Sequence, residues 1–128
     1  MPRTSFAERP APHAQPGVVL GKALLGAARF LGLRQSDVAR VIGASPATVS
    51  RLARGRELDP ASKEGELALL FVRAFRSLDA LVGGDTGKAR EWFHAHNAHV
   101  GGVPADRVRS VQGLVETVRY LDAARGRN

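Results

Sequence analysis

Cysteine is absent from this 128-residue chain, which excludes disulfides, thiolate zinc sites and a cysteine nucleophile. Long apolar runs are missing too; none reaches the roughly 18 residues that a membrane span needs. Aromatic residues make up 5%, with one tryptophan and one tyrosine. No segment alternates apolar and polar residues for long enough to argue a strand. The length rules out large barrels and doubly wound sheets. No nucleophile, base and orienting group converge in any detectable pattern, so catalysis is not expected. GGDTGK at 83–88 lacks the spacing of a phosphate loop and follows a helical stretch, not a strand. The reading is an all-α, non-enzymatic, cytoplasmic protein with six or seven helices, no cofactor and no membrane association.

What is present is positive charge. Lys and Arg number 19 against 12 Asp and Glu, for a net +7, and arginine favours bidentate contacts to phosphate and carboxylate. The excess is local. Residues 18–57 carry seven basic and two acidic groups, residues 58–84 three and four, and residues 85–128 seven and five. A polyanion-binding surface is therefore sought in the 18–57 block. Residues 1–17 contain four prolines and no apolar core of a signal peptide, and read as an extended, flexible arm.

From Val18 the apolar positions recur at helical spacing: Leu20, Ala23, Leu24, Ala27 and Leu31 define a first helix. Ser36 is placed to cap a short second helix with Asp37 in its first turn. Gly43 marks a sharp turn, and Ser45-Pro46 is a strong start signal for a third helix ending at Gly55. A long fourth pattern runs from about Ser62 to Leu81, and Gly83-Gly84 stop it. Thr86 opens a helix holding Trp92, Phe93 and His96; Pro104 opens a short turn; Leu114, Val118 and Leu121 stripe the last helix. Trp92 is expected as the core keystone of the C-terminal part. Asn97 is expected to cap the end of its helix, with partner binding as the alternative. His94, His96 and His99 do not form a metal site by spacing, and no metal is expected.

Gln35 to Arg54 meets the demands of two helices crossing through a tight turn: small Ala39, flexible Gly43, and Val38, Ile42, Val49 and Leu52 facing inward. It resembles the helix-turn-helix of phage-repressor-like regulators, whose second helix lies in the major groove of double-stranded DNA. On that resemblance Ala47, Thr48, Ser50, Arg51 and Arg54 face outward, with Thr48 and Arg51 placed to reach base edges. Gln35, Ser45, Arg54 and Arg56 are placed for phosphates.

The second half carries Arg90-Glu91-Trp92-Phe93-His94-Ala95-His96-Asn97, then Gly101-Gly102-Val103-Pro104, then a closing Val118 to Arg125. This run resembles the toxin-binding domain of Xre/MbcA/ParS-type antitoxins. It departs from that pattern over Val103 to Val111, where PADRVRSV replaces a proline followed by leucines. The resemblance implies a type II antitoxin. Its partner is then a RES-domain toxin that degrades NAD or transfers ADP-ribose, with the antitoxin occluding the toxin's active site and repressing its own operon. Trp92, Asn97, Tyr120, Asp122, Arg125, Arg127 and Asn128 are the expected toxin contacts, the basic tail suiting a phosphate-binding concavity.

The expected organisation is an arm (1–17), a helix-turn-helix region (18–60), a connecting helix (61–84) whose Phe71, Val72 and Phe75 serve a homodimer, and a toxin-binding domain (85–128). A palindromic operator calls for such a two-fold reader. The competing readings are a stand-alone helix-turn-helix regulator, whose C-terminal half dimerises or senses a ligand, and a helical adaptor with no DNA role.

Overall fold

The computed structural model of the chain describes residues 15–127; positions 1–14 of the expected arm, and Asn128, lie outside them. Helix α1 (Pro16–Phe30) starts two residues earlier than the pattern suggests. A proline in the first turn loses only an N–H that would be unpaired there, and its fixed φ suits the position. The start is also held from outside. The Gly17 carbonyl accepts from the Leu58 N–H at 3.0 Å, and Gly17 is buried against residues 57–58. Pro16 and Gly17 therefore belong to the helix, which corrects the arm's boundary.

Helices α2 (Gln35–Ile42) and α3 (Pro46–Ala53) form the predicted pair, packed on each other across the Gly43 turn. The cap of α2 differs from expectation: Arg34, not Ser36, is the capping position, and the Asp37 carboxylate accepts from the Arg34 N–H at 2.9 Å. Gly43 takes the left-handed φ of 69° that the turn requires, and the Ala44 N–H donates back to the Ala39 carbonyl at 3.0 Å. Ser45 caps α3 through its Oγ, which accepts from the Thr48 N–H at 3.1 Å. Val38, Ala39, Ile42, Val49 and Leu52 are all buried.

The long helix α4 (Lys63–Leu81) is more than a connector. It packs against α1, α2 and α7 (Val111–Gly126). One continuous core results, reaching from Leu24 through Phe71 to Leu114 and Leu121. Phe71 is 1% exposed and Val72 8%, and Phe75 packs edge-to-face on Phe30 at 5.1 Å. These three are core or core rim and do not form the expected dimer face. The large apolar side chain that α4 does expose is Leu69.

Between these lie α5 (Thr86–His94), a single 3-10 turn (Ala98–Val100) and the short α6 (Pro104–Arg107). Helix α5 stops at His94, short of His96, because Ala95 is extended. Phe93, not Trp92, is the buried keystone: it is 1% exposed and meets Phe71 edge-to-face at 6.3 Å. Asn97 begins an element instead of ending one. Its side chain accepts from the His99 N–H at 2.8 Å, and its backbone pairs both ways with Gly102. The segment PADRVRSV folds around Arg107, which donates to the Val100 carbonyl at 2.9 Å and pairs with Glu116, while Val108 is fully buried. Among the described residues there are seven α-helices and no strand.

The two helices that pack on each other most, α4 and α7, begin with the same device. Ser62 and Ser110 each accept the N–H of a glycine three residues on, and each donates its hydroxyl to the carbonyl three residues back, of Asp59 and Arg107. That carbonyl lies where a Cβ on Gly65 or Gly113 would stand. Each helix start is thereby packed directly on the loop that feeds it.

Candidate functional site

Two surfaces bring expected site residues together. The first is the outer side of α3. Ala47, Arg51 and Arg54 are exposed there, with Gln35, Ser45 and Arg56 exposed alongside and Thr48 and Ser50 half-buried. Their chemistry is partly committed within the helix. Ser45 Oγ and Thr48 Oγ1 stand 3.0 Å apart, and Ser50 Oγ accepts from Arg54 Nη1 at 3.1 Å. Among the described residues no side-chain hydrogen bond or ion pair engages Arg51 or Arg56. An unpaired guanidinium on an exposed helix face suits a bidentate acceptor, phosphate or guanine edge.

Cations that the sequence did not single out extend this face. Lys22 and Arg29 of α1 and Arg34 before α2 rim a groove of about 560 Å³ over Leu25, Ala28 and Leu52. Arg34 pairs at 3.7 Å with Asp37, whose carboxyl is held below its usual range. The Arg34 N–H is the main cause, with the Arg34 and Arg109 guanidinium groups adding to it against the opposing effect of burial.

The second surface lies in the C-terminal half. Tyr120 on α7 stacks with two rings: Trp92 at 6.2 Å with planes 10° apart, and His99 at 5.3 Å and 15°. Trp92 and Tyr120 are half-buried and His99 is exposed. Asn97 joins the cluster as the residue that closes the turn carrying His99. His99 is the member that sequence reasoning missed, because the turn that folds it back is set by backbone pairing and not by spacing.

The remaining expected contacts lie elsewhere. Asp122 faces α4, where its carboxylate pairs with Arg73 at 2.6 Å and accepts from the buried Ser77 hydroxyl at 2.9 Å. Its observed role is to bind α7 to α4. Arg125 lines the same side as Asp122, and Arg127 is exposed at the end of α7. The histidines have distinct uses: His94 Nε2 meets the Leu31 carbonyl at 2.7 Å, His99 stacks, and His96 is exposed.

The two surfaces are joined by polar contacts. Arg90 of α5 donates to the Phe30 and Arg29 carbonyls at 2.9 and 3.0 Å, and with His94 it covers the carbonyl end of α1. A cation at that end satisfies open carbonyls and opposes the helix dipole. Arg90 and His94 are four residues apart, so their shared face was readable; their target was not.

Comparison with known families follows the same division. Residues 12–73 match the antitoxin Xre-like helix-turn-helix domain. Residues 77–127 match the antitoxin Xre/MbcA/ParS C-terminal toxin-binding domain. The boundary between the two matches falls inside α4, the helix that packs against elements of both halves. No curated protein matches the chain significantly.

Proposed function

The chain belongs to the Xre-type antitoxins, whose members join a helix-turn-helix DNA-binding domain to a toxin-binding domain, and we propose that it neutralises a RES-domain toxin while repressing its own operon. The DNA-binding face is α3, with Thr48 and Arg51 reading bases. Gln35, Ser45, Arg54 and Arg56 contact phosphates, joined by Lys22, Arg29 and Arg34 at the flank. The reader is a two-fold homodimer.

The observation that carries the toxin-binding assignment is the Trp92–Tyr120–His99 stack. Stacked rings at a surface offer a large, rigid contact area that loses little side-chain entropy on binding. Within the segment matched to a toxin-binding domain, this is the surface with the properties of a protein-binding anchor. The basic end of α7, with Arg125, Arg127 and Asn128, enters the toxin's nucleotide pocket. Support for a RES partner comes from the resemblance of residues 90–104 and 114–125 to antitoxins of such toxins.

Co-expression tests this reading. The full chain restores growth to cells making the cognate RES toxin and co-purifies with it, whereas a chain ending at Val118 does neither. Rescue by the shortened chain removes the tail and Tyr120 from the inhibitory surface.

A further inference from the structure

Helix α1 carries a stripe of mixed chemistry. Val18, Lys22, Leu25 and Arg29 follow one another at spacings of four, three and four, and so lie along one face. Lys22 and Arg29 are exposed, while Val18 and Leu25 are half-buried. All four line the groove of about 560 Å³, which is completed by Leu33 and Arg34 before α2 and by Leu52 and Ala53 at the end of α3.

Lys22, Arg29 and Arg34 line this groove, and no carboxylate does. Asp37, which pairs with Arg34 and Arg109, is not among the lining residues. Among the described residues no side-chain hydrogen bond or ion pair engages Lys22 or the Arg29 guanidinium. A DNA backbone, on which the proposed function places these cations, accounts for the charge. It does not account for the floor of Leu25, Leu33 and Leu52, since a strand crossing the rim puts no apolar group into a concavity. The volume falls within the range of small-molecule sites, roughly 300–1,000 Å³, which join an apolar lining to a few polar groups.

Charge and lining together specify an occupant with an apolar body and an anionic head. Guanidinium groups hold phosphate oxygens in pairs, and a phosphate monoester carries about −1.5 to −2 charge at neutral pH. We propose that the groove binds a free organic phosphate monoester with an aryl or medium-chain alkyl body. Its phosphate takes Lys22, Arg29 and Arg34 from the DNA backbone, so the bound ligand releases the operator. The site follows from the groove itself, whereas the release rests on the DNA-binding reading above. This control acts on the helix-turn-helix half, apart from the Trp92–Tyr120–His99 surface.

Naphthyl phosphate is the probe, read by its own fluorescence anisotropy and by amide shifts in nuclear magnetic resonance spectra of the full chain. It is expected to saturate a single site, to shift the amides of Leu25, Leu33 and Ala53, and to displace a labelled operator duplex at constant ionic strength. Naphthol lacks the head and inorganic phosphate lacks the body, and each binds at least tenfold more weakly. Arg29→Glu and Leu25→Gln each weaken the probe at least tenfold, with unchanged helical circular dichroism. Leu25→Gln keeps its DNA binding, whereas Arg51→Ala/Arg54→Ala loses DNA and keeps the probe. Inorganic phosphate that binds as well as the probe leaves only an ion site and overturns the inference. Naphthol that binds as well leaves only an apolar cleft and overturns it too. So does a chain that binds no probe, and if toxin then moves the same amides the groove belongs to the toxin. A wild-type chain that binds no duplex refutes the DNA-binding reading and with it the release, while the probe titration, which contains no DNA, still decides the site.

Discussion

Arg109 and Asp37 stand 72 positions apart in the chain and meet at 3.0 Å, Nη2 to Oδ1. Asp37 also holds the first turn of α2, the helix that sets the angle of α3. Arg109 sits between α6 and α7, in the half matched to toxin binding. One carboxylate thus caps the first helix of the helix-turn-helix pair and ties it to the other half of the protein. Arg90 makes the second such tie at the carbonyl end of α1.

Asp37→Asn is expected to lower stability by about 1–2 kcal/mol, since it weakens a cap and an ion pair together. Arg109→Ala costs about 0.5–1 kcal/mol, because only the pair is lost. The pH dependence follows from the depressed carboxyl of Asp37. A group whose folded pKa lies below its unfolded value stabilises the fold above the unfolded value, about pH 4, and loses that contribution as pH falls through the folded one. The melting-temperature gap between wild type and Asp37→Asn is therefore full at neutral pH and closes below about pH 4.

Arg90→Ala removes the donor to the Phe30 carbonyl and leaves the Arg29 carbonyl with the Gly32 N–H alone. A loss of about 1–2 kcal/mol is expected in denaturant melts. Amide exchange should quicken first at the end of α1 and at α5, ahead of global unfolding.

Glycines separate by their surroundings. A Cβ on Gly113 would stand 2.0 Å from the Arg107 carbonyl, and on Gly65 1.9 Å from that of Asp59, whereas a Cβ on Gly26 meets nothing within 4 Å. Gly113→Ala and Gly65→Ala are each expected to destabilise by about 2 kcal/mol or more. Gly26→Ala, in the body of α1, is expected to stabilise by about 0.5–1 kcal/mol. Thermal melts of the three variants check the contrast.

Trp92 is the one tryptophan of the chain, so its emission reports the stack directly. Tyr120→Ala is expected to shift that emission and to cost about 0.5–1.5 kcal/mol of stability. The same substitution should weaken toxin binding by tenfold or more. Toxin added to the wild-type chain should itself change the Trp92 signal, and a fluorescence titration measures both.

Much of the fold was legible because local rules decide it. Gly43 and Ser45-Pro46 announce their turn and helix start from chemistry within four residues, and the inward set from Val38 to Leu52 follows from spacing. The errors arose where a distant segment decides. Pro16 joins α1 because residues 57–58 pack on Gly17. The Ser36 error is the local exception: Arg34 takes the capping position, and the Asp37 carboxylate three residues on accepts its N–H. Trp92 and Phe93 exchange roles because α5 presents Phe93 to Phe71, a residue from another helix. Of the toxin-contact candidates, Trp92, Asn97 and Tyr120 gather at one place, while Asp122 turns to Arg73 and Ser77. Residue type suggested a contact in each case, and only packing separates a carboxylate that binds α4 from a ring left at the surface.

The central claim is that one chain reads DNA with α3 and meets its toxin with a separate surface. Fluorescence anisotropy on a duplex from its own operon promoter, at low salt and over a salt series, tests it most directly. The wild-type chain is expected to bind with strong salt dependence, and Arg51→Ala/Arg54→Ala to lose that binding while still neutralising the toxin. Absence of wild-type binding at low salt, or binding unchanged in the double variant, would contradict the account.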